Sequence, residues 1–195
     1  MFTGIVCGLG RVADQRNGRL TVEVPENVFI RLSPGSSVAV NGACLTVREL
    51  GNGKFTADVS EETARRTTIG SLSFGMRVNL ELPLRPEEGL DGHIVLGHID
   101  AIGRVNKIVR RNTGWEFTFS YPPEYARYLV EKGSIAVDGI SLTAFAVSSS
   151  SFQCAVIDKT YEGTNLCDRH PGDAVNLEFD ILGKYVERML NVHHG

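Results

Sequence analysis

The chain has 195 residues, 42% hydrophobic and 22% charged, with 20 Lys plus Arg against 23 Asp plus Glu for a net charge of −3. That length allows one or two domains whose cores need no disulfide or metal, and the slightly negative balance argues against a nucleic acid held by bulk positive field. Polar residues interrupt even the longest uncharged stretch, residues 139–157, so no membrane span is expected; four scattered cysteines without a CxxC pair and no basic leader before an apolar run make the cytoplasm the expected compartment.

In chain order, the runs 20–24, 37–50, 55–59 and 78–82 are rich in Val, Leu and Thr and are separated by Asn-Gly, Pro-Gly or Gly-Asn-Gly breaks, which predicts short strands. Pro25-Glu26 opens a short helix carrying Val28 and Leu32, and Ser60 to Thr67, with Glu61 and Glu62 in its first turn, predicts another helical turn. The proline-containing run Pro83 to Asp91 reads as a linker. Pro122-Pro123-Glu124 then opens a helix over Tyr125 to Lys132, with Gly133 as its stop. At the end, Gly183 to Leu190 carries Tyr185, Val186, Met189 and Leu190 as an apolar stripe at helical spacing, which either closes the chain's own core or joins subunits.

The chain is also written twice. At a shift of 97, Val38-Ala-Val-Asn-Gly-Ala-Cys-Leu-Thr-Val47 lies on Ile135-Ala-Val-Asp-Gly-Ile-Ser-Leu-Thr-Ala144 with five of ten positions identical. The same shift sets Gly75, Val78, Asn79, Leu80 and Glu81 on Gly172, Val175, Asn176, Leu177 and Glu178, and near the start a shift of 93 sets Gly4, Gly10, Arg11 and Val12 on Gly97, Gly103, Arg104 and Val105. Two long copies mean a duplicated domain rather than a solenoid. Several short strands in each copy predict a closed barrel or sandwich.

Asn41-Gly42 and Asp138-Gly139 are hairpin signals, because both central residues of a type I′ turn need positive φ. In the strand that follows each turn, the period of two sends Leu45 and Leu142 one way and Cys44 with Thr46, or Ser141 with Thr143, the other. Each half thus presents two small polar side chains on one face. His93 and His98 stand five apart without a third evident ligand, a weak metal pattern, so no metal is expected. His98 falls where the first half has Ile5, which places a titratable imidazole in one copy only. Cys44 against Ser141, Asn41 against Asp138 and Gly35 against Lys132 are further asymmetries. Such a chain suits two similar ligands in related pockets with different duties. No P-loop, Rossmann fingerprint or Ser-His-Asp order appears.

The stretches Met1-Phe-Thr-Gly-Ile-Val6, Val40-Asn-Gly-Ala-Cys-Leu-Thr-Val47, Gly92-His-Ile-Val-Leu-Gly-His-Ile-Asp100, Lys132-Gly-Ser-Ile-Ala-Val-Asp-Gly-Ile-Ser-Leu-Thr143 and Lys184-Tyr-Val-Glu-Arg188 resemble riboflavin synthases of the alpha-chain type along almost the whole chain. The resemblance implies an all-β fold of two homologous six-stranded Greek-key barrels, residues 1–88 and 89–182, followed by a C-terminal trimerisation helix and tail, 183–195. It implies dismutation of two 6,7-dimethyl-8-ribityllumazine molecules to riboflavin and 5-amino-6-ribitylamino-pyrimidinedione by transfer of a four-carbon unit, without cofactor or metal. The implied partners are the other subunits of a homotrimer, in which the first barrel of one subunit meets the second barrel of its neighbour, and lumazine synthase.

Carried over by resemblance, Phe2, Ser37, Cys44 and Thr46 serve the first-barrel pocket, and Gly4 joins the substrate-binding set. His98, Lys132, Asp138, Ser141, Thr143, Ile157, Thr160 and Asp180 serve the second. His98 with Thr143 is assigned the methyl proton, and Ser141 with Cys44 either the binding and polarising of the pteridine or the activation of an added nucleophile. Leu96 and Asp158-Lys159 depart from the family pattern beside the pocket. The alternative from another class is a non-catalytic lumazine- or flavin-binding paralogue of the antenna type.

Overall fold

A computed structural model describes residues 1–192; residues 193–195, the end of the expected tail, lie outside the described residues. In the first half, strands β1 (Gly8–Arg16), β2 (Arg19–Glu23), β3 (Ser37–Val40), β4 (Ala43–Gly51), β5 (Lys54–Asp58) and β6 (Arg77–Glu81) close in the order β1-β2-β5-β4-β3-β6. In the second half, β7 (Ala101–Arg111), β8 (Gly114–Ser120), β9 (Ser134–Val137), β10 (Ile140–Phe145), β11 (Ser151–Val156) and β12 (Ala174–Phe179) repeat it as β7-β8-β11-β10-β9-β12. Neighbours pair antiparallel, and closure removes the exposed edges that short strands otherwise present. The two barrels are those the duplication and the resemblance imply.

Alternation along the strands fills each interior. Leu20 and Val22 of β2 point inward between exposed Arg19 and Glu23, and join Val12, Val38, Phe55 and Leu80 in the first core. The second core is more aromatic, with Phe119 packed against both Phe117 and Phe152 at centroid distances of 5.7 and 5.3 Å. The run 37–50, read as one stretch of strand, divides into β3 and β4 at the Asn41-Gly42 turn.

Short helices bridge the strands. Helix α1 (Glu26–Phe29) follows Pro25, and α2 (Glu61–Arg66) starts at Ser60, whose hydroxyl accepts from the Thr63 amide at 3.0 Å. Its counterpart α3 (Asp158–Gly163) has no side-chain cap, because Ile157 stands in the place of Ser60. Asp158 opens α3 and is held by Arg110, while Tyr161 stacks on Trp115 at 4.0 Å. The helix expected over Tyr125 to Lys132 is corrected to a tighter 3₁₀ turn, Pro123–Tyr128. Tertiary contacts decide it: Tyr125 stacks on Phe179 at 5.3 Å and donates its hydroxyl to the Asp100 carbonyl at 2.8 Å.

The barrels meet hairpin tip to hairpin tip. Asn41 and Gly42 have φ of 44° and 79°, Asp138 and Gly139 of 46° and 76°, so both turns have the positive φ expected of them. A Cβ on Gly42 would fall 2.7 Å from the Gly139 nitrogen, and one on Gly139 2.7 Å from the Gly42 nitrogen. Around the tips, Asn165 donates to Asp138 at 2.9 Å, Asn79 donates to the Asp138 carbonyl at 2.9 Å and Asn176 to the Asn41 carbonyl at 2.8 Å. The bonds from Asn79 and Asn176 tie the two halves across the seam, where buried polar groups need such partners.

Helix α4 (Ile181–Val192) is tied down on one side, where Lys184 contacts both Asp100 oxygens at 2.6 Å and Glu187 receives Arg127 and Tyr128. Tyr185, Val186, Met189 and Leu190 remain between 56% and 67% exposed, so the stripe does not close the chain's own core.

Candidate functional site

The polar rows read from strand period lie where expected. Leu45 and Leu142 are buried, Cys44 and Ser141 are half-buried, and Thr46 and Thr143 are exposed. Ser37 pairs with Thr46 across β3 and β4, and Ser134 with Thr143 across β9 and β10. The next outward residues differ in kind, Arg48 on β4 and Phe145 on β10.

Beside the second row is an open cavity of about 330 Å³, and Lys132, Ser141, Thr143, Ile157 and Thr160 come together in its walls with Phe145. Lys132 has a φ of 65°, a left-handed conformation that its counterpart Gly35 (φ 89°) adopts without a side chain. Holding a lysine there is a local cost that the surroundings impose, and it makes exposed Lys132 the one basic residue of that lining. In the first barrel, Arg48 and Asp58 occupy the positions of Phe145 and Ala155 and form a two-pronged ion pair at 3.0 Å.

Each barrel's row is covered by a segment from the opposite half. Phe2 and Val95 pair antiparallel, with N–H to carbonyl distances of 2.6 and 3.1 Å. From that crossing the Gly4 carbonyl accepts the Ser141 amide at 2.7 Å, and the Gly97 carbonyl accepts the Cys44 amide at 2.9 Å. Gly4 therefore belongs to the second-barrel row. The Gly97 end of the segment that bears exposed His98 thus reaches the first-barrel row beside Cys44, while the His98 amide itself is held by Glu178 of β12 at 3.0 Å. Phe2 is fully buried among Ala39, Val95 and Ala136, against Cys44.

The structure adds a residue read only as half of a weak metal pair: His93 Nδ1 lies 2.7 Å from Ser141 Oγ. Burial pushes the His93 pKa down, opposed by the Asp180 carboxylate, so at neutral pH the ring is an uncharged acceptor or donor for the serine hydroxyl. Asp180 itself accepts the Leu182 amide at 2.9 Å at the start of α4. Asp138 lies in the seam, fully buried, its carboxylate receiving the Asn176 amide at 2.8 Å and Arg169 at 2.5 Å, and it is absent from the cavity wall. The departing Leu96 points its amide at Glu178 at 2.6 Å, and Asp158 is held by Arg110. No trio of His, Cys, Asp or Glu arranged for a metal occurs among the described residues. Paired hydroxyls and a lysine around an open cavity, with a neutral histidine behind one hydroxyl, suit a small polar ligand with several hydrogen-bonding groups.

The family model described as the lumazine binding domain matches twice, over residues 3–83 and 96–180. Riboflavin synthase of Mycobacterium tuberculosis (strain ATCC 25618 / H37Rv) is 45% identical over 201 residues, covering 97% of this chain and 98% of that one. Riboflavin synthase of Actinobacillus pleuropneumoniae is 40% identical over 193 residues, covering 97% and 90%. The solved structure of LumP complexed with riboflavin superimposes with a TM-score of 0.84 at 25% identity, covering 92% of this chain and 99% of that one.

Proposed function

The chain belongs to the riboflavin synthase family of duplicated lumazine-binding domains, and from that premise we propose how its two rows share the work. The reaction is the dismutation of two 6,7-dimethyl-8-ribityllumazine molecules to riboflavin and the ribitylaminopyrimidinedione. A non-catalytic antenna role is not favoured, because the near full-length relatives are synthases and the polar set Cys44, Thr46, Ser141 and Thr143 is present.

The observation that carries the division of labour is the crossing of segments. On our reading His98 belongs with the first-barrel row, next to the Gly97–Cys44 contact, and Thr143 with the second. They share a pocket when the first barrel of one protomer faces the second barrel of its neighbour, which supports a homotrimer with composite sites. In such a site Cys44, Thr46, Ser37 and His98 hold one lumazine, and Lys132, Ser141, Thr143, Ile157 and Thr160 the other. The protein's contribution is to stack two flat rings face to face and to move protons at stated atoms. Neutral His93 accepts from or donates to Ser141 Oγ and so fixes the hydroxyl that polarises the ring, while His98 and Thr143 take the 7-methyl proton. The ring delocalises the resulting charge, and Lys132, in the lining of that cavity, offers it a countercharge.

The exposed α4 stripe supports assembly through that helix. Residues 1–88, 89–182 and 183–195 are assigned as first barrel, second barrel and trimerisation segment. Among the described residues no helix is long and apolar enough to cross a membrane. We place the trimer in the cytoplasm, with lumazine synthase as its further partner. Incubating the protein with the lumazine tests the reading: riboflavin absorbance and fluorescence appear if it holds, and a tightly bound, unchanged lumazine overturns it.

A further inference from the structure

Two glutamates recur at the ends of β6 and β12, at matching positions of the duplication, and both are buried, Glu81 at 6% and Glu178 at 3% exposure. Their partners are backbone amides and, for Glu81, one hydroxyl as well. Glu178 accepts Leu96 N at 2.6 Å on one oxygen, and Gly97 N at 2.9 Å and His98 N at 3.0 Å on the other. Glu81 accepts Thr3 N at 2.6 Å and Thr3 Oγ1 at 2.9 Å on one oxygen, and Gly4 N at 3.0 Å on the other. A buried carboxylate is costly unless hydrogen bonds satisfy it, and these face away from the barrel cores that the neighbouring Leu80 and Leu177 fill. Here the same carboxylate in both copies gathers the amides of a segment that has no strand of its own to pair with at those positions.

What those segments do next gives the glutamates their consequence. Gly97, held by Glu178, receives the Cys44 amide of the first-barrel row; Gly4, held by Glu81, receives the Ser141 amide of the second-barrel row. The fit is close, since a Cβ on Gly97 would fall 2.6 Å from Cys44 Cβ and one on Gly4 would fall 2.6 Å from Ser141 Cβ. From this geometry we infer that Glu81 and Glu178 are positioning residues, each fixing the backbone wall that its own half lays over the opposite barrel's pocket. Glu178 of the second half sets the first-barrel pocket and places the backbone of His98. Glu81 of the first half sets the second-barrel pocket and the approach of Gly4 to Ser141. The duplication thus builds each pocket from both copies of the sequence, and the glutamates are the hinge pins of that exchange.

The inference rests on the synthase reading only for its effect on turnover, so its test has two readouts that need no reaction. In Glu178→Gln, one acceptor oxygen becomes a donor facing amides. Amide exchange at Leu96, Gly97 and His98 is expected to accelerate by about tenfold or more while Thr3 and Gly4 keep the parent rates. Labelling of Cys44 by iodoacetamide, followed on its own peptide, is expected to accelerate with it. Turnover of the lumazine is expected to fall by about 10²-fold, the scale of an ångström of misplacement, with a smaller change in KM. Glu81→Gln is expected to give the mirror pattern, releasing Thr3 and Gly4 and leaving Cys44 at its parent rate. Glu178→Asp, which keeps the charge but withdraws it by one methylene, is expected to repeat the Glu178→Gln pattern in milder form. Unchanged exchange at residues 96–98 in Glu178→Gln overturns the inference, and so does release of barrel amides together with them in both Glu178 variants, which makes the residue a support of the barrel alone. If the parent forms no riboflavin while exchange and labelling follow the expected pattern, the synthase reading fails and the positioning role stands.

Discussion

His93 Nδ1 and Ser141 Oγ lie 2.7 Å apart, joining a buried imidazole from the segment between the barrels to the polar row of the second barrel, 48 residues further along the chain. The contact makes Ser141 a held hydroxyl: its amide is committed to Gly4 and its oxygen to His93. Replacing His93 by Ala is therefore expected to lower turnover by about 10²-fold, the scale of a misplaced group, with lumazine binding changed much less. Steady-state rates and equilibrium titration check it, and parent-like turnover removes His93 from the site.

Mixed refolding tests the composite pocket. Cys44→Ala damages the first-barrel row and Ser141→Ala the second, so unfolding the two variants together and refolding them is expected to restore part of the activity that neither regains alone. Because we place His98 with the first-barrel row, Cys44→Ala with His98→Ala is expected to restore none. A tag on one variant confirms mixed assemblies, and rescue by the second pair rather than the first reverses the assignment of His98.

The stripe on α4 gives a test of assembly that spares the helix's own anchors at Lys184 and Glu187. Tyr185 and Met189, 65% and 67% exposed, are changed together to Glu. Burying two carboxylates in a subunit contact is prohibitive, so sedimentation is expected to show monomers with parent-like circular dichroism and little activity. Trimers that persist in the double variant show that the barrels hold the assembly.

Glu178 links stability to pH. Burial pushes its pKa up to about 7 from 4.5, with Asp100 adding to the shift, and with the Leu96 and Gly97 amides and Lys184 opposing it. Between those values the folded chain holds a proton that the unfolded chain has lost, so this group's contribution to stability falls as pH rises, by about 3 kcal/mol in all, and is constant above and below the window. Denaturant unfolding of the parent and Glu178→Gln from pH 4 to 8 gives two curves whose difference has that slope. A difference independent of pH means that Glu178 ionises at an ordinary carboxylate pKa.

The turn tips offer a stability test. Gly139→Ala combines a φ of 76° with a Cβ 2.7 Å from backbone, so it is expected to destabilise by more than about 1 kcal/mol. Gly53→Ala, at a φ of 71° with open space around the added carbon, is expected to cost less. Equal losses in denaturant midpoints mean that the tips do not depend on close approach.

Patterns of period two and turn chemistry are local, and they determined a great deal. The strand runs, the Asn41-Gly42 and Asp138-Gly139 turns, the cap at Ser60 and the outward rows Cys44–Thr46 and Ser141–Thr143 all follow from residue type and spacing within about ten positions. The collinear repeat further determined that whatever one half builds the other builds again. Only the tertiary structure decided which half covers which pocket, because the antiparallel meeting of Phe2 with Val95 joins residues 93 apart and carries Gly4 to Ser141 and Gly97 to Cys44. It also decided that Asp138 serves the seam, where Asn165, Asn176 and Arg169 converge on its carboxylate, and that His93 rather than a metal partner is the neighbour of Ser141. A hydrogen bond is selected by where two backbones finally lie, and burial then removes water as the alternative partner; neither condition exists until both barrels have closed and docked.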